Sequence, residues 1–202
     1  MVKGPPLTAP RLPGWTLIIA AIALIVFFFP ALGNLLIYDR AAIIHGEIWR
    51  LLSGNLVHFS LAHLLYNLVA WLIAGTIIEL YGYRFLPVLI LSSSILIGIT
   101  LYILEPELYF YAGLSGVVSA AVAYLCLQGM GEKGVLRWLC AAALTGLIAK
   151  TLIEIGAGSS FMLLLHEEDF VPVPLSHLAG IVTAILLFSL LRVTPRLRQH
   201  AR

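Results

Sequence analysis

Apolar residues fill most of the chain, and polar or Gly- and Pro-containing segments divide them into six stretches. A helix that crosses a bilayer needs about 20 mostly apolar residues, which most of these stretches supply. We therefore expect an all-α polytopic membrane protein, a six-helix transmembrane bundle with a short fourth helix. The predicted spans are residues 15–37, 55–81, 85–104, 115–128, 135–155 and 176–192. The bundle would occupy residues 15–192, between an N-terminal tail (1–14) and a basic C-terminal tail (193–202).

The first stretch has two interpretations. Lys3 and Arg11 precede an apolar run over residues 15–29, which is the pattern of a signal peptide. The apolar character resumes through residues 35–37, however, and gives the length of about 20 residues that a bilayer requires. We interpret it as a retained span that Pro30 bends or ends.

The fourth stretch is short. From Ser115 to Gln128 it has 14 residues, or about 21 Å of helix against a hydrocarbon core of about 30 Å. The segment before it, residues 106–113, must then enter the membrane as irregular backbone, which is tolerated only when it is buried in protein or lines a wet cavity. We expect an outward-facing aqueous pocket with Ser115 at its floor.

Composition narrows the class of protein. Hydrophobic residues make up 61% of the chain and charged residues 11%, far from the balance of a soluble domain. No basic stripe with interleaved aromatic residues is present, so nucleic acid is not an expected partner. Cys126 and Cys140 are the only cysteines and suggest neither a disulfide framework nor a metal cluster. We expect no cofactor.

The distribution of charge predicts the orientation. Outer loops would hold only two basic residues, Arg40 and Arg50, whereas the other side collects most of them. Those residues are Lys3, Arg11, Arg84, Lys133, Arg137, Arg192, Arg196, Arg198 and Arg202. By the positive-inside rule both termini are cytoplasmic.

The run Gly113-Leu114-Ser115-Gly116 opens the fourth stretch and also has two interpretations. Small residues let transmembrane helices approach closely, so the run could serve packing alone. Alternatively Ser115 is a nucleophile, with glycines that let the backbone approach a substrate and leave amides free to stabilise an oxyanion. His and Asn residues elsewhere at membrane depth favour the second interpretation, because such groups are costly there.

Those residues lie in the second and sixth stretches. His63 and Asn67 are four apart and share a helix face, while His58 lies nearer the outer end and is expected to point elsewhere. His177 falls near the outer side, where Ser115 is also expected. One turn further along the sixth stretch, Gly180 would allow close approach of another helix at Gly116.

These residues predict a Ser–His dyad. A serine hydroxyl needs a neighbouring base, and a neutral imidazole suits that task, so His177 would activate Ser115. His63, Asn67 and the amides at Leu114 and Ser115 are candidate oxyanion donors. We expect no carboxylate where a third triad member would be needed.

Other roles for these groups remain open. A proton relay usually carries a carboxylate in mid-span, but Glu79 and Glu154 lie near span ends, and Lys150 with Glu154 is expected to be a mutually neutralising structural pair. A helical zinc pair has its histidines four apart, whereas His58 and His63 are five apart, so no metal site is expected. The remaining outer-loop groups are expected to be solvated: His45, His166 and Glu167-Glu168-Asp169.

The pattern resembles the rhomboid family of intramembrane serine proteases, over nearly the whole chain from Asp39 to Gly180. The matching pieces, in order, are Glu47-Ile48-Trp49-Arg50, His58…His63…Asn67, Gly113-Leu114-Ser115-Gly116 and His177-Leu178-Ala179-Gly180. The resemblance implies a rhomboid-like bundle in which Ser115 is the nucleophile, His177 the general base and acid, and His63 with Asn67 surround the oxyanion. It also implies substrates that are single-span membrane proteins and enter sideways from the lipid bilayer.

Within that family the chain is similar to the rhombosortases, through Asp39-Arg40-Ala41-Ala42-Ile43, the run from Tyr111 to Gly116, and Lys150 with Glu154. This similarity implies a bacterial inner-membrane protein whose substrates are exported proteins with a C-terminal Gly-Gly-type signal, an apolar helix and a basic end. One position departs from the family. Many members have an aromatic residue four after the nucleophile that stacks on the catalytic histidine, and this chain has Ser119, which could hydrogen-bond the ring instead; Tyr124 or a loop aromatic could also support it.

A catalytically inactive relative that binds membrane helices is the alternative function. Loss of the nucleophile or the base is the usual sign of such a protein, and the intact Ser115 and His177 argue against it. A proton-coupled transporter is a third possibility, which lacks the expected mid-span carboxylates.

Overall fold

The computed structural model describes residues 12–157 and 173–200. Within these ranges the helices are α1 (Gly14–Phe28), α2 (Pro30–Leu36), α3 (Arg40–Ile44), α4 (Arg50–Ser53), α5 (Leu61–Leu80), α6 (Leu86–Leu104), α7 (Ser115–Gly129), α8 (Val135–Ala157) and α9 (Pro174–His200). Two short strands are β1 (Tyr38–Asp39) and β2 (Phe110–Tyr111). His166 and Glu167-Glu168-Asp169, predicted to be solvated, lie outside the described residues, as does most of the predicted N-terminal tail with Lys3 and Arg11.

The long helices confirm an all-α polytopic membrane protein. In the described part of the chain, α5, α6, α8 and α9 are long and apolar enough to cross a bilayer, and α1 with α2 makes a fifth span if the bent pair is counted as one. Helix α7 is apolar but has only 15 residues, which matches the predicted short fourth helix. A count of six spans requires both α7 and the bent pair, and it stays a prediction.

The first predicted span is divided at Pro30. Helices α1 and α2 meet there at an angle of 109°, because proline lacks the N–H of a continuous helix and its ring clashes with the preceding turn. The predicted bend is therefore confirmed, but residues 15–37 are not one straight helix.

The second predicted span begins later than expected. Residues 54–56 form a 3-10 turn, and α5 begins only at Leu61. Ser60 sets this boundary, since its hydroxyl accepts a hydrogen bond of 3.2 Å from the backbone N–H of His63 and caps the helix. His58 consequently lies on the segment before α5, not on the helix.

A buried arginine holds the segment that follows α2. The Arg50 guanidinium pairs with Glu47 at 2.7 Å and donates to the carbonyl oxygens of Asn34 and Ile37, both at 2.8 Å. These carbonyls are at the C-terminal end of α2, where helical acceptors lack partners. The Glu47-to-Arg50 motif thus holds the C-terminal end of α2 against the start of α4.

Only the last part of the segment that leads into α7, residues 111–113, is buried in protein, whereas most of residues 106–110 are exposed. Its strand β2 pairs antiparallel with β1, with Tyr38 opposite Tyr111. After the strand, the backbone N–H of Gly113 donates to the carbonyl oxygen of Gly54 at 3.2 Å. Residues 111–113 are all buried, which meets the requirement for irregular backbone at membrane depth. Two-residue strands were not predicted, because they are too short to show an alternating pattern.

Helix α7 is the centre of the bundle and packs most extensively against α9. A Cβ added at Gly180 would collide with the Gly116 carbonyl oxygen, and one added at Gly116 would lie 2.9 Å from the Ser176 carbonyl oxygen. Only glycine at both positions permits this approach. The predicted contact between Gly180 and Gly116 is therefore confirmed.

Candidate active site

Ser115 is the first residue of α7. The preceding residue, Leu114, occupies the N-cap position in a helical conformation and has no polar side chain that could cap the helix. The first amide N–H groups of a helix lack helical acceptors and carry partial positive charge. The end of α7 can therefore stabilise negative charge next to the Ser115 hydroxyl.

Gly113 brings this helix end against α5. Its φ of +143° is a backbone conformation that side chains rarely allow. The position of a Cβ at Gly113 lies 2.9 Å from Nε2 of His63 and 3.8 Å from Oγ of Ser115. The Tyr111 hydroxyl donates to the Gly113 carbonyl oxygen at 2.9 Å. The missing side chain thus lets the His63 ring and Ser115 face the same small space.

The first turns of α5 supply two polar side chains. His63 and Asn67 are both buried and lie one turn apart, as the sequence predicts. The Asn67 Nδ2 group has no hydrogen-bond acceptor among the described residues, and an unpaired buried donor is the exception in folded proteins. The prediction that His58 points elsewhere is wrong, because its ring meets the His63 ring edge to face at 5.0 Å.

Helix α9 brings His177 to the same region. Its first turn is held by Ser176, whose hydroxyl donates to the Val173 carbonyl oxygen at 2.8 Å. The hydroxyls of Ser176 and Ser115 both lie within hydrogen-bonding reach of the Tyr111 hydroxyl, and the His177 and His63 imidazoles are close enough to interact electrostatically. The structure therefore gathers Ser115, His63 and the start of α9 around Tyr111.

A carboxylate lies beside His177, contrary to our expectation. Glu154 Oε2 is 3.5 Å from His177 Nδ1, and Glu154 Oε1 accepts from Lys150 Nζ at 2.7 Å. The predicted pair with Lys150 is present, but the prediction that no carboxylate approaches the site is wrong. Sequence spacing relates residues on one helix, whereas this contact joins α8 to α9. The available signal was an ionisable group within a span, which marks function by default.

The structure also shows what Ser119 and Tyr124 do. The Ser119 hydroxyl donates to the Ser115 carbonyl oxygen of its own helix at 2.9 Å. The Tyr124 hydroxyl donates to the Arg84 carbonyl oxygen at 2.7 Å, beyond the far end of α5. Neither hydroxyl hydrogen is directed to His177. Tyr111, the loop aromatic at the centre of the cluster, was not singled out from the sequence.

The described residues include no group of three or more His, Cys, Asp or Glu side chains that could hold a metal ion.

Comparison with known proteins gives the family. Residues 45–193 match the Rhomboid domain family. The rhomboid protease GlpG of Pectobacterium atrosepticum is 37% identical over 108 residues, which cover 51% of this chain and 38% of the relative. The rhomboid protease GlpG of Klebsiella pneumoniae subsp. pneumoniae is 36% identical over 84 residues, 41% of this chain and 30% of the relative. The matched regions thus span well under half the length of these curated relatives. The family match covers most of the chain, from the first residues after α3 to the end of the apolar part of α9, and the chain therefore belongs to the rhomboid family.

Proposed function

We propose that the protein is an intramembrane serine endopeptidase. His177 removes the proton from the Ser115 hydroxyl as Oγ attacks the carbonyl carbon of a peptide bond, and it then delivers that proton to the leaving amine. A water molecule, activated by the same imidazole, releases the acyl group from Ser115. No cofactor takes part in these steps.

One observation carries this proposal. Ser115 at the N-terminus of α7 shares the space at Gly113 with the His63 ring of α5, and the His63 ring also interacts electrostatically with His177 at the start of α9. The curated relatives are named proteases, and these three residues are among those that carry the family resemblance. Packing alone does not require a hydroxyl and two imidazoles at one point in a membrane protein.

The oxyanion is stabilised by donors from two helices. The amides at Leu114 and Ser115 contribute from the end of α7, where the helix dipole favours negative charge. His63 and Asn67 contribute from α5, and the Asn67 amide has an N–H group that no described residue accepts from. Preorganised donors of this kind act strongly because they are already oriented toward the position where the charge develops.

The substrates are single-span membrane proteins that enter sideways from the bilayer. The similarity to the rhombosortases supports a finer proposal, that they are exported bacterial proteins ending in a Gly-Gly-type signal, an apolar helix and a basic end. Asp39, one of the residues behind that similarity, caps α3 by accepting from the backbone N–H groups of Ala41 and Ala42, so its role in the fold is structural.

The orientation follows from the charge distribution. The protein crosses the bacterial inner membrane six times with both termini in the cytoplasm, residues 15–192 form the membrane domain, and an aqueous pocket opens outward above Ser115. Alkaline phosphatase fused after the last residue should be inactive and a fluorescent protein at the same point should fluoresce. The reverse pattern would overturn this orientation.

The activity is tested by replacing the nucleophile. Cells that express the protein with a tagged Gly-Gly-type reporter should release a cleaved product, and Ser115→Ala should abolish it, because removal of a nucleophile costs several orders of magnitude in rate. A reporter without the Gly-Gly pair tests the finer substrate proposal. Ser93→Ala is the matched control, since Ser93 is a buried helical serine whose hydroxyl donates to the Leu89 carbonyl oxygen of its own helix.

Two results would overturn the proposed protease function. Cleavage by Ser115→Ala at the wild-type rate would remove the assigned nucleophile. Failure of the detergent-solubilised wild type to cleave any reporter or to react with a fluorophosphonate probe at Ser115 would instead favour the inactive, helix-binding relative.

A further inference from the structure

Glu154 is an ionisable side chain held in the bundle with 1% of its surface exposed. Its two carboxylate oxygens face different partners on different helices. Oε1 lies 2.7 Å from Lys150 Nζ, one turn back on α8. Oε2 lies 3.5 Å from His177 Nδ1 on α9. The carboxylate therefore connects a cation of its own helix to the imidazole assigned as the base.

The two contacts have different consequences. A buried carboxylate must be neutralised, and Lys150, whose side chain is 35% exposed, does this while its ammonium end reaches toward solvent. The ion pair of Lys150 with Glu154 would neutralise the carboxylate even without His177. The remaining oxygen lies 3.5 Å from Nδ1, so it favours the form of the ring in which Nδ1 carries a hydrogen.

An imidazole has two nitrogens, and the reaction needs a particular one free. If Nδ1 carries the proton and donates a hydrogen bond to Glu154, the lone pair resides on Nε2, at the other side of the ring. The groups that act on the ring, directly or through a partner, are Glu154 at 3.5 Å, Lys150, which pairs with Glu154, and the His63 imidazole of α5. Glu154 is the only carboxylate among them.

We propose that Glu154 is a positioning residue of the active site, which holds the Nδ1–H group of His177 so that Nε2 can take the Ser115 proton. The inference rests on the proposed protease function. The proton moves from Ser115 Oγ to His177 Nε2 and then to the leaving amine, while Glu154 stays ionised throughout and stabilises the transient imidazolium. The carboxylate takes over the support of the ring that Ser119 is too small to provide by stacking.

The test is Glu154→Gln, which keeps the size of the side chain and removes its charge. We expect kcat for reporter cleavage by the purified full-length protein to fall about 10- to 100-fold, with KM unchanged within about twofold. This is the range seen when the hydrogen-bond partner that orients a metal-binding histidine is removed. Glu154→Asp retains the charge and should recover part of the loss. Glu79→Gln is the matched control, because it makes the same change at a carboxylate within α5 that contacts α1, and it should leave kcat unchanged.

Two further readouts separate positioning from a general structural role. The acid limb of the pH–rate profile should move to lower pH by about one unit in Glu154→Gln, because the imidazolium loses an adjacent negative charge and the neutral base persists to lower pH. In 15N-histidine NMR, His177, assigned with His177→Asn, should change from one tautomer to a mixture, since a glutamine amide can also donate to Nδ1.

Each outcome decides the question. An unchanged pH–rate profile and an unchanged His177 tautomer in Glu154→Gln would overturn the inference, even if Ser115→Ala confirms the protease. Equal losses of kcat in Glu154→Gln and Glu79→Gln would also overturn it, since they would report loosened packing only. If the wild type cleaves nothing, the proposed function fails, and the tautomer comparison still decides whether Glu154 fixes the imidazole. If Glu154→Gln does not fold, Glu154→Asp is measured in its place, and the loss of kcat, the shift of the acid limb and the change of tautomer should all be smaller.

Discussion

Both ends of α5 carry polar side chains, but the hydrogen bonding of these side chains differs between the two ends. At the site end, His63 and Asn67 are buried, and Asn67 retains an amide N–H without an acceptor in the described part of the chain. At the other end, about 24 Å away at 1.5 Å per residue, Glu79 accepts three hydrogen bonds. They come from the backbone N–H groups of Trp15 and Thr16, at 3.1 and 2.8 Å, and from the Thr16 hydroxyl at 2.6 Å.

The two carboxylates of the described spans show what this difference means. Glu79 caps the N-terminus of α1 from a neighbouring helix, and backbone donors neither titrate nor move during a reaction. Glu154 faces an imidazole and an ammonium, which do exchange protons. Both carboxylates lie within predicted membrane-spanning helices, so that position does not identify a functional group by itself. The chemistry of the partner does, and the two ends should respond oppositely to mutation: turnover should fall at the site end and stability at the other.

Among variants that leave the proposed nucleophile and base in place, the largest effect is expected for Gly113→Ala at the site end. The new methyl group would enter a backbone conformation that favours glycine and lie 2.8 Å from Cε1 of His63. A displacement of about 1 Å at a catalytic centre costs about 100-fold in rate, or about 2.7 kcal/mol, so kcat/KM for reporter cleavage should fall by that factor.

Gly146→Ala is the control for this change, because nothing lies within 4 Å of a Cβ at that helical glycine. It should raise the free energy of unfolding by about 0.5–1 kcal/mol and leave kcat/KM unchanged. If Gly113→Ala cleaves the reporter at the wild-type rate, the space shared by His63 and Ser115 is not part of the reaction, and the contrast between the two ends fails.

An intermediate effect, on stability, is expected for Glu79→Gln. A neutral amide accepts more weakly than a carboxylate and cannot serve three donors equally, and hydrogen bonds to charged groups contribute about 1.5–3 kcal/mol. The free energy of unfolding, measured by SDS titration in a mild detergent, should fall by about 2 kcal/mol. The reporter turnover of the folded fraction should stay within about twofold of wild type, and a tenfold loss would show that this end also serves catalysis.

Local patterns in the sequence were enough to locate the helices and the residues within them. The short α7 beginning at Ser115, the bend at Pro30 and the shared face of His63 and Asn67 each depend on a few neighbouring residues, and the structure contains all three. The approach of Gly180 to Gly116 was also predictable, since small residues identify close helix contacts.

Two other contacts of the site have no such pattern in the sequence. The ring of His58 touches His63 because Ser60 starts α5 at Leu61, so helical spacing does not apply to His58. Glu154 was assigned to Lys150 alone because a spacing of four is visible in the sequence, whereas its distance to His177 depends on how α8 packs on α9.

The smallest effect, and the sharpest test of how Glu79 works, is expected for Thr16→Val. The change removes the hydroxyl that donates to Glu79 Oε2 and leaves both backbone donors in place. We expect a loss of about 1 kcal/mol in the free energy of unfolding, less than for Glu79→Gln, with turnover unchanged.

Because both residues belong to one network, the double variant should lose less than the two single losses added together. Thr183→Val is the control, since the buried Thr183 hydroxyl donates to the Ala179 carbonyl oxygen of its own helix, a local bond whose removal should change stability less than Thr16→Val does. Strictly additive losses would mean that Thr16 and Glu79 act independently, and the α1 end of the bundle would then be held by packing and not by this carboxylate.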